Sequence, residues 1–362
     1  MARSEYRGGG GDEPTRHWSI VIRSVIRRLG VAVAKGAGAL LLTSIGLLLI
    51  TFLIGHASPI DPVLRVVGDR ASVETYNATR IEMGLDKPLP QQFVRYVGDV
   101  LQGDFGKSTN TGRPVLADLF SYFPATLELA TLAIIIGVFL GIPAGIGAAH
   151  WHNTWVDHST RIVSLMGYSI PIFWLGLMGL RIFYARLHWV AGPGRLDDIY
   201  LYTVPVWSNV MLLDTLRAGN LDAFENAISH LALPVGLLAF FSLAYIARMT
   251  RALTLEELSK EYVLTARTKG AANARVLWHH VLPNIAAPLV TVVALSYAVL
   301  LEGAVLTETV FSWQGIGLYM TNALFAADMQ AVLGGTLLIG FTFVLLNALA
   351  DLLSTFLDPR LR

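Results

Sequence analysis

The stretch Glu261-Tyr262-Val263-Leu264-Thr265-Ala266-Arg267-Thr268-Lys269-Gly270, running on through Ala271 to His280 and into Val281-Leu282-Pro283-Asn284, is a charged island between two long apolar runs. It reads as a helix stopped by Gly270, a turn, and a second helix that starts near Asn273 and heads back toward the membrane before Pro283. Thr254 and Glu257 fit a capping box, so a helix is expected to begin there, as the fourth apolar run ends. Tyr262, Val263 and Ala266 give the first arm a partly apolar face, which suits a groove on a docking partner. An amphipathic helix lying on lipid is the plainer alternative, and the Gly270 stop and Leu282-Pro283 re-entry favour a hook.

Working outward, the chain is 362 residues with 54% hydrophobic and 15% charged residues, and its mean hydropathy is +0.55. That apolar share exceeds an ordinary soluble domain's. A net charge of +1 argues neither for nor against an acidic partner, and the absence of cysteine excludes disulfides, thiol catalysis and Cys-based zinc sites.

A membrane-crossing helix needs about 20 apolar residues, and six segments approach that: Val31 to Ile54, Leu127 to Ala149, Ile162 to Tyr184, Leu231 to Ala247, Ile285 to Leu306 and Val332 to Leu353. The first is read as a retained span rather than a signal peptide, because no small-residue cleavage site follows it. The fourth is interrupted by Pro234 and Gly236. The expected organisation is a tail over 1–30 and an all-helical, polytopic domain over 31–362 with six transmembrane helices. Arg23, Arg27, Arg28, Lys35, Arg161, Arg248, Arg251, Lys260, Arg267, Lys269, Arg275, Arg360 and Arg362 are assigned to the tails and even-numbered loops, which places those segments and both termini in the cytoplasm.

The long outer loop between the first two spans, 57–123, is read as a small cap with short helices over Tyr76 to Met83 and Gln91 to Leu101, separated by Pro88 and Pro90. A second outer excursion runs from Leu187 to His230, and a third, Thr307 to Ala331, carries Glu308 and Asp328. No internal repeat of the inverted-repeat transporters is evident.

Several motifs have plain explanations. Gly106-Lys107-Ser108 lacks the first glycine of a phosphate-binding loop and reads as a turn. Asn77-Ala78-Thr79 is a chance glycan pattern. His150, His152 and His158 with Trp151 and Trp155 suit interfacial anchoring better than a metal. Gly137, Gly141 and Gly145 recur on one helix face and suit close helix packing. Ser164, Tyr168, Ser169 and Pro171 fit either a wet path or a kink. Glu302 is read as the one carboxylate well inside a span; pairing with another helix or subunit is favoured over a proton relay.

These residues resemble the membrane permease subunits of ATP-binding-cassette importers of the dipeptide, oligopeptide and nickel class. That family's cytoplasmic signature, Glu-Ala-Ala, three residues, Gly, nine residues, Ile, one residue, Leu-Pro, falls here on Leu264, Thr265, Ala266, Gly270, His280, Leu282 and Pro283, with the Glu and Ile replaced. Met83 to Pro90, Gly103 to Ser108, Thr126-Leu127-Glu128-Leu129, Glu308 to Gly317 and Leu357-Asp358-Pro359-Arg360 are also similar to the peptide branch. Gln314 stands where proline is usual, and Ile60-Asp61-Pro62 replaces Gly-Asp-Pro.

The resemblance implies a type I importer permease in the bacterial cytoplasmic (inner) membrane. It would pair with a second, similar permease, two cytoplasmic ATPase subunits and an extracytoplasmic solute-binding protein, with lipid around it and no nucleic acid. The chain itself would be no enzyme and bind no cofactor; ATP and Mg2+ would sit in the ATPases. A coupling hook over 254–284 would present Glu261, Tyr262, Leu264, Thr265, Ala266, Lys269 and Gly270, with Tyr262 and Ala266 filling the ATPase groove and Lys269 at its rim. Ser164, Tyr168, Ser169 and Glu302 are the candidates for lining a translocation path for peptides or similar small solutes. Nickel chelates, opines or sugars are alternatives within the class, and an ion-coupled transporter using Glu302 is the alternative outside it.

Overall fold

A computed structural model describes residues 38–57, 61–68 and 70–357. The N-terminal tail, the start of the first span at 31–37 and the closing Asp358-Pro359-Arg360 lie outside them. Helices dominate: α1 (Gly38–Ala57), α2 (Pro62–Val67), α3 (Val73–Glu82), α4 (Leu89–Leu101), α5 (Val115–His150), α6 (Trp155–Ser169), α7 (Ile172–Gly179), α8 (Asp198–Leu201), α9 (Met211–Ala218), α10 (Leu221–Leu258), α11 (Glu261–Thr268), α12 (Asn273–Arg275), α13 (Leu282–Val310), α14 (Ile316–Phe325) and α15 (Met329–Leu357). Two π-helical stretches, Leu180–Tyr184 and Val276–Val281, continue α7 and join α12 to α13.

Five of these helices are long and apolar enough to cross a membrane, or six when the bent pair α6 and α7 counts as one span. That pair occupies the third span expected over Ile162 to Tyr184 and carries the kink that Pro171 allows. The chain bends by 99° between them. Pro171 has no N–H to continue the ladder, and it forces Ile170 into an extended conformation, φ −97° and ψ 127°.

Two other boundaries differ from the sequence reading. The second span starts at Val115 rather than Leu127, running through Pro124. The fourth is not interrupted: α10 passes through Pro234 and Gly236 as one 38-residue helix. Prolines are tolerated inside membrane helices in general.

The centre of the fold is the seam between α5 and α10. Gly137, Gly141 and Gly145 face Ser242, Ile246, Ala247 and Thr250; a Cβ on Gly145 would stand 2.6 Å from both the Ala247 carbonyl oxygen and Thr250 Cβ. Close backbone approach needs glycine at this face, as the four-residue spacing indicates. Around the seam, Leu129, Ala130, Ala133, Leu231, Leu238, Ile246, Leu300 and Trp313 form the largest apolar core.

The segment between α1 and α5 follows the expectation of short helices broken at Pro88. Asp61 caps α2 through the Val63 N–H at 2.8 Å, and the Tyr76 hydroxyl donates to it at 2.7 Å. That donation holds the Asp61 carboxyl below its ordinary range. The cap rests on α1 through Tyr96, whose hydroxyl lies 3.1 Å from Thr51 Oγ1, and through Phe93 edge-on to Phe52.

Candidate functional site

The stretch folds as a helix, a turn and a second helical arm, and is built differently at its start from the sequence reading. Thr254 and Glu257 do not open a helix; both are buried inside α10, which continues to Leu258. The break comes at Ser259-Lys260, and Glu257 becomes an anchor there, accepting from Lys260 Nζ at 2.6 Å and from the Tyr262 hydroxyl at 2.7 Å.

From that root α11 runs to Thr268. Gly270 follows at φ +83°. Its N–H donates to Arg267 O at 2.9 Å, and the Ala271 N–H donates to Ala266 O at 3.1 Å. This pair of bonds is the Schellman arrangement, which satisfies terminal carbonyls and needs a left-handed residue. Ala266 and Ala271 pack together in the cluster beneath it. Nothing lies within 4 Å of a Cβ at Gly270, so the backbone conformation, not space, selects glycine.

The second arm does not stop before Pro283. From Asn273 the chain passes through α12 and the π stretch straight into α13, so Pro283 lies inside one continuous helical run, and the nearby His280 carbonyl accepts from Asn284 Nδ2 at 2.7 Å. Val263, Val276, Val281 and Ile285, all essentially buried, clamp the two arms together. Burying one such side chain contributes roughly 1.5–3 kcal/mol.

The clamp leaves the hook side chains in different surroundings. Ala266 faces the clamp, half-buried. The Tyr262 hydroxyl is engaged within the chain, donating to Glu257 and bonded by Asn284 Nδ2 at 3.1 Å. The ring is 37% exposed. Leu264 is 65% exposed, and Glu261, Thr265 and Lys269 share the open surface. Trp278 on the second arm is also exposed; its sequence neighbourhood of charges and histidines drew attention away from it.

Of the path candidates, Ser164 is buried with no hydrogen-bond partner for its Oγ. Gly167, one turn on, faces α10, where an added Cβ would lie 2.5 Å from the Ala244 Cβ. Tyr168 and Ser169 turn away from that contact and are exposed. The Arg248 guanidinium lies 4.3 Å from the Tyr168 ring centre and donates to its hydroxyl at 3.0 Å. Glu302 is not brought to these three; it lines a groove between α1, α13 and α15. Near the turn between α5 and α6, Asp157 is buried and accepts from Arg251 Nε at 2.5 Å and Nη2 at 2.9 Å, holding α6 to α10. Among the described residues no group of three or more His, Asp or Glu is placed to hold a metal.

The end of α13 away from the hook contains what the sequence reading missed. Glu308, expected in an outer loop, is wholly buried in the last turn of α13. It accepts from Thr126 Oγ1 at 2.5 Å, Gly317 N at 2.7 Å and Leu318 N at 3.0 Å, and so caps α14. Trp313 beside it donates its indole N–H to Ala125 O at 3.0 Å. Arg195 stands 5.1 Å over that indole and bonds Glu128 at 2.9 Å. Two segments distant in sequence, Thr126 to Leu129 and Glu308 to Gly317, are thus one lock.

Gly106-Lys107-Ser108 belongs to the same rim as a tight turn. Ser108 Oγ donates to Asp328 at 2.6 Å, and the Asn110 N–H adds a bond at 3.1 Å.

Comparison with known proteins agrees with this geometry. Residues 141–362 match the model of the binding-protein-dependent transport system inner membrane component, and residues 21–130 match the N-terminal model of the same system's membrane component. The chain is 45% identical to the probable D,D-dipeptide transport system permease protein DdpB of Escherichia coli K12, over 89% of this chain and 94% of that protein. It is 41% identical to the di/tripeptide transport system permease protein DppB of Pseudomonas aeruginosa, over 91% and 98%. Against the dipeptide transport system permease protein DppB of Escherichia coli K12 it is 39% identical over 94% and 99%. A chain of the inward-facing MetNI methionine ABC transporter superposes with a TM-score of 0.49 over 65% of this chain and 93% of that one, at 14% identity, too loose a fit to bear on function. The shared signature segments, the multi-pass helical fold and these matches together establish that the chain belongs to the binding-protein-dependent transport system inner membrane components, as a permease subunit of an ATP-binding-cassette importer and not itself an enzyme.

Proposed function

We propose that this chain forms half of the translocation path of an ATP-driven importer of short peptides, and passes to it the work of two cytoplasmic ATPase subunits. A second, similar permease supplies the other half of the path, and a solute-binding protein delivers cargo from outside. ATP and Mg2+ are held by the ATPases. The basic residues of the even-numbered loops support a cytoplasmic hook and cytoplasmic termini.

The observation that carries this reading is the contrast within α11. Val263 is buried in the clamp while Leu264, next to it, is 65% exposed. A large apolar side chain standing in water on a rigid, capped helix suits a partner's pocket. Leu264 is the central contact, with Glu261, Thr265 and Lys269 around it, and Tyr262, Ala266 and Gly270 fix the helix beneath. Closure of the ATPases around ATP moves the docked hooks as rigid bodies and switches which side of the path is open.

The test is ATP hydrolysis by the assembled complex in response to peptide-loaded binding protein. Leu264→Arg leaves the chain inserted and abolishes the stimulation. Unchanged stimulation, or peptide uptake by this chain alone along a proton or sodium gradient, overturns the reading.

A further inference from the structure

Glu302 has a peculiar setting. It lies in the apolar stretch Asn273–Val310, its side chain is exposed, and no described side chain pairs with it. Val299 and Leu306, three residues before and four after, are open on the same helix face. A carboxylate at such depth is too costly to leave against lipid, so a group beyond the described residues must face it.

The groove beside it says what. Its volume is about 330 Å³, and Thr43 and Leu47 of α1, Leu301 and Glu302 of α13, and Thr336 and Phe343 of α15 form its walls. Thr43 Oγ1 donates its proton to Ala39 O at 2.7 Å, and Thr336 Oγ1 donates to Val332 O at 2.8 Å. Both hydroxyls are therefore left as acceptors only. With the carboxylate, the groove's polar side chains offer acceptors and no donor, set in apolar walls. That set is complementary to a primary ammonium, which has three N–H donors and no acceptor, carried on an apolar body. The volume lies at the small end of ligand pockets, suited to a two-residue peptide.

We propose that this groove is a binding station for the free amino terminus of the cargo, with Glu302 as its counter-charge and Thr43 and Thr336 as the accompanying acceptors. The peptide identity of the cargo rests on the function proposed above; the ammonium chemistry does not.

Two measurements on the assembled importer separate these. In the first, n-hexylammonium raises the thermal midpoint of the wild-type complex but not of Glu302→Gln, and the uncharged N-acetylhexylamine raises neither. Equal shifts in both complexes, or none, overturn the station. In the second, the complex is placed in vesicles of phosphatidylcholine and phosphatidylglycerol, which carry no primary ammonium, and given its own binding protein and dileucine. Glu302→Gln lowers uptake roughly tenfold or more, the loss expected for one charge-assisted hydrogen bond. Glu302→Asp, which keeps the charge but shortens the arm, retains most of it, and both variants keep the second permease on purification.

Wild-type uptake by Glu302→Gln overturns the proposal, as does an equal failure of Glu302→Asp, which would mean packing. Loss of the second permease from Glu302→Gln also overturns it, because the groove would then be a subunit interface. A first measurement as expected, with no dileucine uptake by wild type, sustains the ammonium site and overturns the peptide reading.

Discussion

The hook at one end of the molecule and the rim at the other are held by different forces. In the hook, valines and isoleucine clamp two arms and a backbone cap ends the first; its charges stand mostly outside. In the rim, carboxylates are drawn inside. Glu308, Asp118, Asp328, Glu128 and Asp214 are all buried there, and each ties a turn or helix start that would otherwise have unpaired N–H or hydroxyl groups. The difference suits the two tasks. An apolar clamp is firm yet leaves the outer surface of α11 free for a partner, whereas directional bonds fix the shape of loops that have little core beneath them.

Four substitutions sharpen or break that comparison. The largest effect is expected at the rim, where Glu308→Ala strands the Thr126 hydroxyl and the Gly317 and Leu318 N–H groups in a buried site; a loss of about 3–5 kcal/mol follows. Thermal unfolding of the purified complex reads it, and a midpoint equal to wild type would show that the rim does not depend on its carboxylates. Gly145→Leu comes next, at about 2–3 kcal/mol, because it wedges apart the α5–α10 seam that joins the two ends. It should loosen hook and rim together in hydrogen exchange; loosening of one alone would mean the ends are built separately.

At the hook, Leu264→Ala should leave the unfolding midpoint in place yet weaken ATPase binding by about 2 kcal/mol, roughly 30-fold in Kd by titration. A fall in stability with unchanged Kd would make Leu264 part of the clamp. The smallest effect belongs to Gly270→Ala, about 1 kcal/mol, since the added Cβ meets nothing and only the left-handed backbone resists it. A larger loss in denaturant titration would reveal a contact at Gly270 beyond the cap.

The hook was the more legible end. Gly270 declares itself between two helical patterns, because a left-handed cap requires that residue type and the charged island has no other candidate. The glycine seam was legible for a similar reason: a repeat of four has a simple geometric meaning. The rim was not. Hydropathy ends the fifth span near Leu306, so Glu302 looks deep and Glu308 looks external. The helix runs on to Val310 because Glu308 is capping α14, a contact across the fold that no local window contains. Thr254 and Glu257 misled in the opposite way, since a capping-box pattern inside a helix needs no cap when the preceding turn is already helical. Pro171 signalled a break, but its 99° angle depends on what α7 packs against.

One feature joins the two ends. Helix α10 starts beside the rim at Leu221 and reaches the root of the hook at Leu258 without a gap, a rod of about 57 Å at 1.5 Å per residue. A rod transmits displacement without storing much of it, so in the coupling role proposed above a tug on α11 reaches the far end of α10 almost undiminished. Bending then has to happen elsewhere in the chain, and the elbow at Ile170-Pro171, already folded and with no ladder bond from its proline, is the joint where the stroke is best absorbed.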